Sequence, residues 1–247
     1  MESADEFGHL AAEFNAMTAA LGQHQERLVA SEKLAGIGRL AAGVAHEINN
    51  PLQVMLGYLS LHRDHPDRTL VAQLAAVEDE ALRCKAIVDD LLELSRPVAS
   101  SEPVDLRLLC DEVVERLRAP RWSQGTALSV EGAGVAVGDP PRVRQVVHNL
   151  VKNAMEAAGP QGGVRVRVGR CADGVEVAVG DTGPGVAPEA RAQLFEPFFT
   201  TKAGGTGMGL AVSRAIARAH GGDVDLAGEE GCSTVFRLWL PAPERRA

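Results

Sequence analysis

The repeat of apolar residues changes period part-way along the chain, and that change limits what the chain can fold into. Up to residue 95 the apolar positions fall at alternating steps of three and four. Phe7, Leu10, Phe14, Met17, Leu21 and Leu28 begin the series, and Leu34, Ile37, Ala41, Val44 and Ile48 continue it. A turn at 62–67 interrupts it; Leu70, Leu74, Val77, Ala81, Cys84, Val88, Leu91 and Ser95 resume it. Such spacing marks a coiled-coil seam, a stripe too narrow for one helix to bury alone. Two helices of this kind joined by a short turn predict an antiparallel hairpin, and two hairpins from two copies predict a dimeric four-helix bundle.

Arg96–Pro103 is rich in Pro and Ser and reads as a linker. Beyond it Val164–Val168 and Val175–Val179 alternate with period two, as strands do. Residues 105–118, 140–158 and 207–220 read as helices, and 233–240 as a last strand. Mixed elements of this kind predict an α/β sandwich, one sheet covered by helices. The expected fold class is therefore α plus α/β. Aromatic residues make up only 4% of the chain, so Ala, Leu and Val must fill the core, which favours helical packing.

The formal charge of −8 and the lack of a basic cluster argue against a nucleic-acid binder. Cys84, Cys110, Cys171 and Cys232 are isolated, which predicts free thiols rather than a disulfide frame or a zinc site. No apolar run approaches the ~18–20 residues that cross a bilayer, so this segment is expected to make no membrane contact.

Two groups of residues carry chemistry. His46 lies on the first helix, two residues from the seam positions Val44 and Ile48, so it points away from the seam. A neutral imidazole is a nucleophile able to attack a γ-phosphate, and Glu47 beside it can accept the proton from its other nitrogen. Pro51 removes a helical N–H donor and bends the helix there. Asn50 shares a face with Glu47 and can orient a water; an ordinary polar surface role fits its spacing equally well.

The second group suits a nucleotide. Asp139 precedes Pro140 and is placed to cap the next helix. On that helix Asn149 and Asn153 are four apart, on one face, where amide oxygens can meet a magnesium ion and its phosphates. Asp181-Thr182-Gly183-Pro184-Gly185 ends a strand, where a buried carboxylate can accept from an adenine amino group and glycines allow close approach. Gly205-Thr206-Gly207-Met208-Gly209-Leu210 leads into a helix, as an anion-binding loop does. It is not a P-loop, because Gly-Lys-Ser/Thr is missing. Between these lies Phe195–Lys202, with three of the chain's six phenylalanines; it reads as a lid anchored by aromatics, with Lys202 able to reach phosphate.

Together these blocks resemble a bacterial sensor histidine kinase of a two-component system. His46–Leu52 is similar to the H box, Gln145–Ala154 to the N box, Asp181–Gly185 to the G1 box, Phe195–Lys202 to the F box and Gly205–Leu210 to the G2 box. Residues 1–30 resemble the end of a HAMP linker, 31–97 a dimerisation and histidine phosphotransfer domain, and 103–241 a Bergerat-type ATP-binding domain.

The resemblance implies roles residue by residue. His46 would be the phosphorylated nucleophile, Glu47 its base, and Asn50 the residue associated with phosphatase activity. Asn153, with Asn149 close by, would hold Mg²⁺. Asp181 would recognise the adenine of ATP. Lys152, Gly183, Gly185, Thr200, Lys202, Gly205, Thr206, Gly207, Gly209 and Leu210 would complete the nucleotide pocket and its lid. Many relatives carry a basic residue three positions after the second N-box asparagine; this chain has Glu156, with Lys202 or Lys152 as substitutes.

The implied partners are a second copy of the chain and the receiver domain of a response regulator. The implied location is the cytoplasm, with an inner-membrane sensor ahead of residue 1 in a longer parent; a self-contained cytosolic kinase is the alternative. Two other function classes are the alternatives: a catalytically silent dimeric scaffold that binds nucleotide or a partner kinase, and a gyrase- or Hsp90-like conformational ATPase.

Overall fold

The computed structural model describes residues 48–49, 51–60, 67–95, 100–119, 125–171, 174–202, 205–228 and 231–243. The seam predicted before Ile48, the turn at 62–66 and linker residues 96–99 lie outside them. Within them, 51–60 is helical (α1) and Arg68–Ser95 forms α2. Asp67 starts α2: its side-chain oxygen accepts from the N–H groups of Thr69 and Leu70 at 2.9 and 3.2 Å. The seam on α2 is buried at Ala81 and Val88, but Val77 is 52% exposed in the single chain. No helix among the described residues is long and apolar enough to cross a membrane.

The remainder runs β1 (Glu102–Asp105), α3 (Leu106–Leu117), β2 (Ala127–Gly132), β3 (Val135–Gly138), α4 (Pro140–Ala158), β4 (Gly163–Cys171) and β5 (Gly174–Asp181). Then come α5 (Pro188–Arg191), α6 (Gly209–Ala219), β6 (Asp223–Ala227) and β7 (Thr234–Pro241). The main sheet has the order β2-β4-β5-β7-β6; β2 and β4 are parallel and the other pairs antiparallel. Residues of α3, α4 and α6 share its core, so helices followed by a mixed α/β sheet domain are observed, as expected.

Several details depart from the sequence reading. Glu102–Asp105, read as the end of the linker, is a strand paired antiparallel with β3. With Pro103 inside it and Val104 alone buried, it is too short to show an alternation. Strands β2, β3 and β6 were also not anticipated. The core is dominated by valine facing a sheet rather than by helical packing: Val164, Val166, Val168, Val175, Val177 and Val179 are all buried. β-Branched side chains fill a pleated surface well, which is why so few aromatics suffice.

Asp139 stands at the N-cap of α4 in extended geometry, but its side chain makes no capping bond. Its backbone N–H instead donates to His220 Nε2 at 3.0 Å. Because Nε2 accepts, Nδ1 carries the proton and donates to the Ile216 carbonyl at 2.7 Å. His220 thereby joins the end of α6 to the start of α4. Replacing it in His220→Leu removes both bonds and should lower unfolding stability by about 1–3 kcal/mol in urea denaturation. A loss below about 0.5 kcal/mol would mean that water takes over its role.

Candidate functional site

Helix α4 organises the candidate residues. Val146, Val147, Leu150, Val151 and Ala154 are buried in the core and fix its rotation. Asn149, Asn153 and Ala157 then fall on one half-buried stripe, each step of four residues rising about 6 Å. Each faces a different segment. Asn149 Nδ2 lies 3.5 Å from both the Gly209 carbonyl and Ser213 Oγ. Lys202 Nζ donates to Asn153 Oδ1 at 3.1 Å. Gly183 sits so close to Ala157 that a Cβ there would meet its carbonyl oxygen at 2.6 Å.

At the Gly183 end, Asp181 is buried at the close of β5, with 2% exposure. Burial pushes its carboxyl pKa up; the Gly183 N–H, the Thr234 hydroxyl and the charge of Lys202 act against that rise. The Gly183 N–H donates to Asp181 Oδ1 at 2.8 Å. Gly185 takes a φ of 83°, a conformation that favours glycine. No local sequence signal marks Thr234. It stands directly across from Asp181 in the β5–β7 register, which only the strand pairing reveals.

At the other end Gly207 has a φ of 69°, and a Cβ there would lie 2.4 Å from the Phe198 backbone. This left-handed residue keeps α6 from starting at 207, so the helix begins at Gly209. The Thr206 hydroxyl accepts from the Met208 N–H at 3.3 Å, the Thr200 hydroxyl accepts from the Lys202 N–H at 3.1 Å, and Leu210 packs against the core. Phe195 anchors the Phe195–Lys202 segment. It meets Phe236 edge-on at 6.3 Å between ring centroids, and the Arg214 guanidinium stacks on it at 4.5 Å. Phe198 is exposed and has a φ of 68°. Arg83 of α2 reaches this region too, its Nη2 donating to the Gly205 carbonyl at 3.4 Å.

The two lysines named as substitutes for a basic residue at 156 both gather on Glu156. Lys202 Nζ is 2.6 Å from Oε2, and Lys152 Nζ is 3.9 Å from Oε1. Lys152 lines a cavity of about 310 Å³ with Leu117, Thr126, Met155, Glu156, Gly159 and Pro160, apart from the Asp181 group. His148, on the same helix, has its imidazole pKa lowered by burial and then by the Lys152 charge. His46, Glu47 and Asn50 lie outside the described residues. Among those described, no cluster of three or more His, Cys, Asp or Glu could hold a metal ion.

Comparison with known proteins matches both halves of the chain. The "His Kinase A (phospho-acceptor) domain" family matches residues 37–99, and the "Histidine kinase-, DNA gyrase B-, and HSP90-like ATPase" family matches 138–244. The sensor histidine kinase ZraS of Escherichia coli (strain K12) is 38% identical over 223 residues, 88% of this chain and 48% of ZraS. The solved structure of histidine kinase ThkA in complex with the response regulator protein TrrA aligns with a TM-score of 0.61 and 30% identity, covering 91% of this chain and 67% of that one. The chain belongs to the sensor histidine kinases of two-component systems. Full-length ShkA in complex with AMPPNP also aligns with this kinase, with a TM-score of 0.66 and 29% identity over 83% of this chain and 46% of ShkA. The kinase chain spans about half the length of curated relatives such as ZraS, at 48%.

The buried carboxylate at 181 gives a prediction with a pH signature. Its raised pKa means that the fold loses stability as Asp181 ionises, when pH rises through the folded-state value. Asp181→Asn should therefore be more stable than the wild type near neutral pH, and thermal melts should show the gain shrinking as pH falls towards the ordinary value of 3.8.

Proposed function

We propose that this chain is the catalytic core of a sensor histidine kinase that binds ATP along the α4 stripe and transfers its γ-phosphoryl group to His46. The observation that carries this reading is the stripe itself. One helix face sets a buried carboxylate and close-packed glycine at one end, an asparagine and lysine in the middle, and a glycine-led helix start at the other. Adenine would meet Asp181, and the polyphosphate would extend past Asn153 towards the N–H groups at 205–210. Family membership and the AMPPNP complex of ShkA favour the same ligand.

Magnesium fits this arrangement as an ion held by few protein oxygens. Asn153 Oδ1 already faces the Lys202 ammonium, so the amide presents its oxygen to positive charge. Asn153, with Asn149 nearby, would hold Mg²⁺ together with phosphate oxygens. Bound there, the ion would offset charge on the phosphates.

In the transfer, an imidazole nitrogen of His46 forms a bond to the γ-phosphorus. The bond from that phosphorus to the β–γ bridging oxygen breaks, and ADP leaves. Glu47 takes the imidazole proton. The phosphoryl group then passes to an aspartate on the receiver domain of a response regulator. Asn50 would serve the reverse task, orienting a water for dephosphorylation of that partner. A homodimer is supported by the seam and by Val54, Met55, Tyr58 and Val77, all large apolar side chains exposed in the single chain. The division at 1–30, 31–97 and 103–241 and a cytoplasmic location, with a membrane-anchored sensor in a longer parent, belong to the same reading.

Incubation with γ-labelled ATP tests it. The wild type should acquire acid-labile, base-stable label. His46→Gln should acquire none while still binding ATP; loss of binding would contradict the division of labour. Asn50→Ala should lose phosphatase activity towards the phosphorylated regulator at least about tenfold, with autophosphorylation within about twofold of wild type. Equal losses would remove its separate role.

A further inference from the structure

We propose that Glu156 is a positioning residue: it holds Lys202 across the middle of the cleft while no nucleotide is present, and yields it to the phosphates when one binds. The proposal rests on the nucleotide reading given above and deepens it. Three oxygens receive the Lys202 ammonium: Glu156 Oε2 at 2.6 Å, Asn153 Oδ1 at 3.1 Å and the Asn153 carbonyl at 3.5 Å. An ammonium has three donors, so this set satisfies it. The amide oxygen it uses is the same one assigned to the metal. A tethered cation therefore stands where the ligand's own cation and phosphates would go.

The strength of the latch suits release. Lys202 and Glu156 side chains are 39% and 44% exposed, so their pair is weak and easily exchanged. A polyphosphate carries more negative charge than one carboxylate and wins the lysine. Glu156 is not stranded when it loses Lys202, because Lys152 lies 3.9 Å from its other oxygen. The three side chains together carry a net charge of +1, since Lys152 and Lys202 each contribute one positive charge and Glu156 one negative. Lys202 ends the Phe195–Lys202 segment, so its delivery to the phosphates is coupled to movement of that segment.

Calorimetric titration of the full chain with AMPPNP and Mg²⁺ tests the latch through a double-mutant cycle. Glu156→Gln should tighten binding about threefold to fivefold, because the phosphates no longer compete for Lys202. Lys202→Ala should weaken it by about fivefold or more, and adding Glu156→Gln to Lys202→Ala should then change it by less than about 1.5-fold. Glu156→Asp should stay near wild type. If Glu156→Gln tightens binding equally with alanine at 202, Glu156 acts by repelling phosphate directly and the latch is wrong. No effect in either background would also overturn it. A wild-type chain that binds no AMPPNP would instead remove the nucleotide reading, and the latch with it. Both positions are partly exposed, so the variants should fold.

Discussion

The rotational setting of α4 is the constraint on which the cleft depends. Burial of Val143, Val146, Val147, Leu150, Val151 and Ala154 on one side fixes which residues the other side presents. Each large apolar side chain contributes about 1.5–3 kcal/mol when fully buried. A turn of one residue, ~100°, would expose several of them and carry Asn149 and Asn153 away from their partners. The polar contacts across the cleft, at 2.6–3.5 Å and partly exposed, are far too weak to set that rotation against the core. The valine core therefore aims the asparagines, and the strands opposite supply the segments they meet.

Much of this was legible in the sequence where a residue's chemistry and its local pattern agreed. The helix at 140–158, the strands around Val166 and Val177, the buried Asp181 and the tight glycines at 183 and 207 follow from periodicity and backbone geometry. What was not legible depends on pairing between distant segments. Thr234 acquires its meaning only from lying opposite Asp181. The His220 bond to Asp139 joins residues 81 apart, and no local signal marks it. Short strands such as Glu102–Asp105 carry too few residues to show a period. Glu156 was visible as an oddity of charge, but its two lysine neighbours were needed to give it a role.

The electrostatics of the cleft are arranged at some expense to the fold. A carboxylate with 2% exposure is kept at the end of β5, against its own desolvation. Its compensation comes from the Gly183 N–H and the Thr234 hydroxyl, both fixed by the backbone around it, and from Lys202 at the end of the Phe195–Lys202 segment. Another carboxylate is treated differently: Arg214 and Arg218 of α6 both pair with Asp223 of β6, and its pKa is lowered despite its burial. One aspartate is thus left with acceptor capacity for a ligand, and the other is consumed in holding α6 to β6.

The Arg83 contact links two parts of the molecule that the sequence reads as separate. A side chain on the long helix α2 bonds a backbone carbonyl within the glycine loop. Backbone at a glycine has little stiffness of its own, so its geometry answers to whatever grips it. If nucleotide alters that grip, linkage makes the effect mutual: the factor by which a rearrangement of α2 changes nucleotide affinity is the factor by which nucleotide shifts α2. An input arriving through the helices and the fuel arriving from solution would then be two readings of one equilibrium.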